Sequence, residues 1–385
     1  SPQHTSPTAP QKKQPNHWLA FTPPRSANRR RSSGWFCHRP AHIRTMQRAY
    51  AETANAPGLI DRVIYNPAAS DARPLVGRLV ERGHSDELHD RHYGILEATD
   101  GRSHYVELGQ GEDIDALKRG AILEITPASG GIREVDRAIV AVAAARDGRY
   151  DVDVHLRHDP QASEAFAQSH VRRLEAIRRK TGGVEREADG RWIITPDHLD
   201  KVVAYEAACV RERPVAVNVR SAEPLEKLID ADAATWLDRE MVAPASTPLR
   251  EAGFGQEVRA AQAQRRQWLI EQGLAEERDG AVAYRPDMIA QLQRRELLRV
   301  AGQLSDELGL RFVEVAPSER IEGVLKRSVD LTSGRFALIE KSREFTLVPW
   351  RPVLERQIGK HVSGMMRGNS ISWGFGRGRK GPEIS

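Results

Sequence analysis

The chain has only two cysteines in 385 residues, Cys37 and Cys209. They are too few and too far apart for a disulfide framework or a four-cysteine zinc site, and a reducing compartment fits this usage. No run approaches the ~18 apolar residues that span a bilayer, and "HWLAF" is too short for the apolar segment of a signal peptide. The expected location is therefore the cytoplasm, with no membrane insertion. Motifs for nucleotide and nucleophile chemistry are also missing: neither G-x-x-x-x-G-K-[ST] nor G-x-S-x-G occurs. "GFGRGRKG" resembles a phosphate loop only superficially, because no helix follows to lend its N-terminal dipole.

Acidic residues are absent from positions 1–45, which carry Lys12, Lys13, Arg25, Arg29, Arg30, Arg31, Arg39 and Arg44. Those eight charges exceed the whole-chain total of +5, so residues 46–385 carry −3. Any basic surface on the body must come from local clustering rather than from a general excess. The tail, from "SPQHTSPTAPQKKQPN" through "PPRSANRRRSSG", lacks helical or strand periodicity and is expected to be disordered. Met46 opens the first stretch of ordinary globular composition, so the tail reads equally as a frame remnant or as a basic arm.

Two internal repeats organise the body. Residues 74–126 give short alternating strands, an Asp100-Gly101 turn and one helical turn before a last strand. A near-copy, "EGVLKRSVDLTSGRFALIEKSREFTLVPW" followed by "VLERQIGKHVSGM", stands at the other end of the chain. Gly77 matches Gly323, Tyr93-Gly94-Ile95-Leu96-Glu97 matches Phe336-Ala337-Leu338-Ile339-Glu340, and Gly120 matches Gly359. Each copy is expected to be a small SH3-like β-barrel, with the later glycine allowing a positive-φ reversal.

Between them, "GGVEREADGRWIITPDHL" and "GLAEERDGAVAYRPDMI" align at an offset of 90. Each follows an amphipathic helix, with Phe166, Val171, Leu174 and Ile177 as the apolar stripe of the first and Val258, Ala261, Trp268 and Leu269 of the second. Each precedes another helix, for which Pro196 or Pro286 suits the first turn and Thr195 is a candidate N-cap. Helix, hairpin, helix predicts a winged-helix-like module. The expected fold is α+β and multidomain: a disordered basic tail over 1–45, a barrel with flanking helices over 46–150, winged-helix-like modules over 151–220 and 221–310, and a second barrel with a basic C-terminus over 311–385.

On the helix "VRRLEAIRRKTGG", Arg172 and Arg179 lie seven apart, as do Arg173 and Lys180, so a basic strip flanks the apolar one. If this is a recognition helix, Arg172, Arg173, Arg178, Arg179 and Lys180 meet phosphates while Arg191 and Trp192 approach from the wing. The competing reading is a solvated helix face with Trp192 in the core. The second module has Arg265 and Arg266, but Glu271, Glu276 and Glu277 stand close by. "HSDELHDRHYG" offers His84, Asp86, Glu87, His89, Asp90 and His92, yet lacks a second cluster to complete a tetrahedral shell. In "HLRH", His155 and His158 face opposite sides if the stretch is a strand. No metal and no cofactor is assigned.

The stretches "VGRLVERGHSDELHDRHYGILEATDGRSHYVELG", "AATWLDREMV" and "GRFALIEKSREFTLVPWRPVLERQIGKHVSGMMRGNSISWGFGRGRKG" resemble the domain of unknown function that follows the nuclease domain in relaxases. These are the mobilisation nucleases of conjugative plasmids and integrative elements, similar to the T-DNA border endonucleases of type IV secretion. The resemblance covers about residues 43–385. It implies a role in DNA mobilisation, in a family that nicks DNA with a tyrosine and a metal held by a His-hydrophobic-His motif. This sequence contains no His-x-His, so no catalytic residue carries over and the chain is expected to be non-catalytic. Two accessory roles follow: gripping DNA near the transfer origin, or serving as a protein scaffold whose Arg377, Arg379 and Lys380 are read by a type IV coupling protein. A metal-dependent hydrolase on the His84 loop ranks below both.

Overall fold

A computed structural model describes Gln47, Tyr50 and residues 61–316, 318–367 and 370–374. The tail expected to be disordered and the basic residues Arg377, Arg379 and Lys380 lie outside the described residues. The fold is mixed α+β, and no helix among the described residues is long and apolar enough to cross a membrane.

The first sheet opens with β1 (Arg62–Ile64), β2 (Leu75–Asp86), β3 (Arg91–Ala98) and β4 (Ser103–Gly109). The short helix α1 (Glu112–Asp115) leads into β5 (Ile122–Pro127). A helical insertion follows: α2 (Glu134–Ala144), β6 (Arg149–Tyr150), α3 (Val152–His158), α4 (Glu164–Thr181), β7 (Glu185–Arg186), β8 (Trp192–Ile193) and α5 (His198–Glu212). The chain then returns through β9 (Val215–Ser221), which pairs with β5 and completes the order β1-β4-β3-β2-β5-β9. Next come α6 (Trp236–Val242), α7 (Gly253–Glu271), the hairpin β10 (Ala275–Arg278) and β11 (Ala281–Tyr284), and α8 (Met288–Leu308). The second sheet is β12 (Arg311–Phe312), β13 (Arg320–Leu331), β14 (Gly334–Lys341), β15 (Glu344–Pro349), β16 (His361–Arg367) and β17 (Ser370–Gly374), in the order β12-β15-β14-β13-β16-β17.

The duplication extends to individual hydrogen bonds. In each sheet the first strand pairs in parallel with the fourth, β1 with β4 and β12 with β15. The long strands β2 and β13 carry a register shift at the same place, between Leu79 and Glu81 and between Leu325 and Arg327. At the bulge, Leu79 N–H donates to Ala121 O and Gly120 N–H donates to Leu79 O, and Leu325, Lys360 and Gly359 repeat both bonds. Gly120 and Gly359 adopt φ of 89° and 79°, the left-handed reversal expected of them. Gly77 and Gly323 answer to close approach instead: a Cβ on either would lie 2.7 or 2.5 Å from the carbonyl oxygen of Glu97 or Glu340.

Alternation along the strands sends Leu75, Leu79, Leu96, Val106, Leu123 and Ile125 into one core. Val76 and Ile122 face the other side, against Leu225, Trp236, Phe254 and Val258, so α7 covers that face of the first sheet. Ala301 and Leu304 of α8 likewise pack on Leu338, Phe345 and Leu347 of the second sheet.

The boundaries differ from those read in the sequence. Residues 128–150, grouped there with the first barrel and its flanking helices, belong with the next module: Ile139, Val142 and Ala143 of α2 and Tyr150 pack with Leu174, Ile177, Trp192 and Val202. Conversely β9, placed at the end of the 151–220 module, belongs to the first sheet. The helix after the first hairpin starts at His198 with Asp197 at its N-cap, so Pro196 precedes it. Thr195 does not cap it; its Oγ1 accepts from Lys201 Nζ at 2.7 Å. "HLRH" is the end of helix α3, not a strand, because Asp151 caps it by accepting from Val154 N–H at 2.6 Å.

Candidate functional site

Helix α4 starts where Ser163 Oγ accepts from Phe166 N–H at 3.2 Å, and ends at Gly182 in the left-handed conformation. Ala167, Leu174 and Ile177 turn into the core; Phe166, expected in the stripe, is half exposed. The outer face carries Arg172, Glu175, Arg178 and Arg179. Arg178 makes a fork to Glu175 at 3.0 and 2.9 Å, and Arg179 Nε reaches the same carboxylate at 2.7 Å. Hydrogen bonds from Arg178 and then Arg179 draw the Glu175 carboxyl down to about 2, so it stays charged. Arg172 is exposed and has no acidic partner among the described residues. Over residues 172–179 two guanidiniums therefore share one carboxylate and a third, Arg172, stands beside them.

The other expected contacts are placed differently. Each step along a helix turns about 100°, so Arg173 and Lys180 point toward the neighbouring helices instead of outward. Arg173 holds Asp136 on α2 through two bonds of 3.0 Å and Glu206 on α5 at 2.6 Å, and lies over the Tyr205 ring at 4.9 Å. Lys180 pairs with Glu212 of α5. Both are bolts of the module. Arg191, on the hairpin, is tied to Asp189 by Nε at 2.6 Å. Trp192 is 1% exposed, in the core with Tyr150 and Leu174, which corrects its expected place on the DNA side. Arg186, which pairs with Trp192 across the hairpin and covers its ring at 5.3 Å, is an exposed arginine that the sequence did not single out. In the second module Arg265 is fully buried, which removes it from any basic surface.

A second cluster lies on the β2–β3 hairpin. His84 and His92 are directly opposed across the two strands, with ring centroids 4.3 Å apart. α1 brings Asp115 beside them, with Oδ1 3.0 Å from His92 Nε2. That contact pairs His92 Nε2 with a carboxylate, while Nδ1 of the fully buried His92 has no hydrogen-bond partner. An unpartnered buried polar group costs about 1–3 kcal/mol. Asp90 Oδ1 stands 3.4 Å from His84 Nε2 and 3.9 Å from His92 Nε2. Arg82 donates to Asp115 at 2.7 Å, and that bond holds the Asp115 carboxyl below its ordinary range. His89, also on this loop, pairs instead with Asp86 at 2.8 Å.

Residues 36–382 match the family described as protein of unknown function (DUF3363), a span that takes in both sheets and both helical regions. The chain belongs to this family. No curated protein and no solved structure matches it. Within the DUF3363 span the helical insertion also contains a buried tyrosine-histidine cluster. Tyr150 Oη lies 3.0 Å from His155 Nδ1 and 2.9 Å from His170 Nδ1, and both Nε2 atoms are buried without a partner. Burial pushes His155 down and His170 to about 4. The unfolded chain takes up these protons near pH 6.5, whereas in the folded chain burial delays both, that of His170 until about pH 4. This part of the stability is full above pH 6.5 and is lost progressively as pH falls toward 4. The expected result is a melting temperature that falls from pH 7 to pH 5, and falls less in His170→Gln. A flat profile over that interval would contradict the assignment.

Proposed function

We propose that the chain is a non-catalytic accessory portion of a relaxase-type DNA-mobilisation protein, and that it grips DNA through the exposed face of α4. The observation that carries this reading is the charge balance over residues 172–179 of that face, Arg172, Arg178 and Arg179 against Glu175. Phosphate contacts supply most of sequence-independent DNA affinity, and arginine forks suit them.

The module is read as a winged helix. In its support, α2, β6, α3, α4 and the β7–β8 hairpin follow in that fold's order, with β6 pairing to β8 in one three-stranded sheet. α4 is then the recognition helix, and Asp189-Gly190 is the tip of the wing. The two six-stranded sheets are read as SH3-like barrels that frame the helical modules, a reading supported by the sequence repeat and by the matching strand order of the two sheets. No nicking step is assigned, because the sequence has no His-hydrophobic-His pair.

The test is fluorescence anisotropy of the full chain against labelled single- and double-stranded oligonucleotides across a salt series. Each phosphate contact contributes nearly one unit to the log–log slope, so Arg172→Ala with Arg179→Ala is expected to flatten the slope by about 2. The basic residues of positions 1–45 contribute equally to both proteins and cancel in the difference. An unchanged slope would remove the DNA-gripping role. A scaffold recruited through Arg377, Arg379 and Lys380 by a coupling protein would then take its place.

A further inference from the structure

We infer that His84, His92 and Asp115 form a binding site for a divalent transition-metal ion of the zinc class. The three residues present one ligand atom each, and those atoms all lie within 4.8 Å of one another. Donors around a four-coordinate zinc ion stand roughly 3.3 Å apart, given metal–ligand bonds of about 2.0–2.2 Å. Closing that gap needs only side-chain rotation of His84 and Asp115, whose side chains are 43% and 49% exposed, while His92 stays fixed by burial. Two imidazoles and a carboxylate suit this class of ion, and hard oxygen-preferring cations such as magnesium are disfavoured. Asp90 or a water molecule completes the shell. Arg82, bonded to Asp115, would act as the outer partner that orients a ligating carboxylate.

The duplicated sheet provides an internal control. At the position of His84 and His92, the β13–β14 hairpin has Asp330 opposite Arg335, joined by an ion pair of 2.7 Å. Leu354, buried in the second core, stands in the stretch that answers to Asp115. One copy therefore satisfies this cross-strand pair by itself. The other opposes two histidines, and buries one of them with its Nε2 turned to the Asp115 carboxylate. A bound cation supplies what that pair lacks. The ligands come from two strands of one hairpin and from a helix 23 residues beyond His92, so the folded sheet assembles the site and an unfolded chain does not.

The experiment is a Co2+ titration of the full chain, purified in chelator, followed by visible absorption and by displacement with Zn2+. One equivalent is expected to give ligand-field bands stronger than those of the aquo ion, reversed by Zn2+. His84→Ala and Asp115→Asn alter exposed side chains and should fold normally by circular dichroism. Each is expected to weaken binding at least tenfold, whereas His361→Ala, on the second sheet, is expected to bind as the parent does. A spectrum no different from the aquo ion would overturn the inference. So would parental affinity in both His84→Ala and Asp115→Asn, which would place the metal on other histidines of the chain.

Discussion

Arg265→Ala is expected to destabilise the folded chain by about 3–5 kcal/mol, the range for breaking a buried ion pair from one side. Arg265 and Asp238 are both 0% exposed. Nε donates to Asp238 Oδ1 at 2.8 Å and Nη2 to Oδ2 at 2.9 Å, while the remaining N–H groups bond the carbonyls of Ile229, Ala231 and Ala233. The guanidinium also lies over the Trp268 ring at 4.2 Å. Asp238 closes the capping box of α6 with Thr235. Removing the arginine would leave a buried carboxylate without its countercharge and three carbonyl groups without donors. Equilibrium denaturation should show the loss in the transition that reports α6 and α7. A loss below about 1 kcal/mol for Arg265→Ala would show that the pair does not carry this core.

Arg265 also marks what the sequence could and could not convey. Periodicity locates a residue on a helix face, and on that basis Leu174, Ile177, Val258 and Leu269 were legible as core residues. It does not say what stands opposite. Arg265 read as half of a basic pair because Asp238 approaches it from 27 residues away. Arg173 read as a phosphate contact because Asp136 and Glu206 are brought to it only by the packing of α2 and α5. The duplicated sheets were visible for a different reason. Gly77 and Gly323 meet a neighbouring carbonyl at a distance no side chain tolerates, and Gly120 and Gly359 require positive φ, so the same residues recur in both copies. β9 left no such mark: it joins the first sheet from 88 residues beyond β5, across a complete helical insertion. Asp115 was missed as a neighbour of His84 and His92 because a topological return, not a spacing motif, places it there.

Trp192→Ala is expected to cost about 3–5 kcal/mol, as for other large aromatic truncations in a packed core. Trp192 fills the space between α4 and the hairpin, among Tyr150, Leu174, Ile177 and Val202, and Arg186 covers its outer edge. The prediction separates stability from contact within one module. Arg172→Ala with Arg179→Ala touches exposed side chains, and such changes stay within about ±0.5 kcal/mol. That double variant should therefore flatten the salt slope of DNA binding and leave the denaturation midpoint where it was. Trp192→Ala should move the midpoint and, at a temperature where the variant remains folded, keep the parental slope. A Trp192→Ala protein with parental stability but weakened DNA binding would instead put the indole on the DNA and would require the hairpin to open away from the core. The indole is enclosed by side chains from α4, α5 and the strand beside it, so the core role is the one the packing supports.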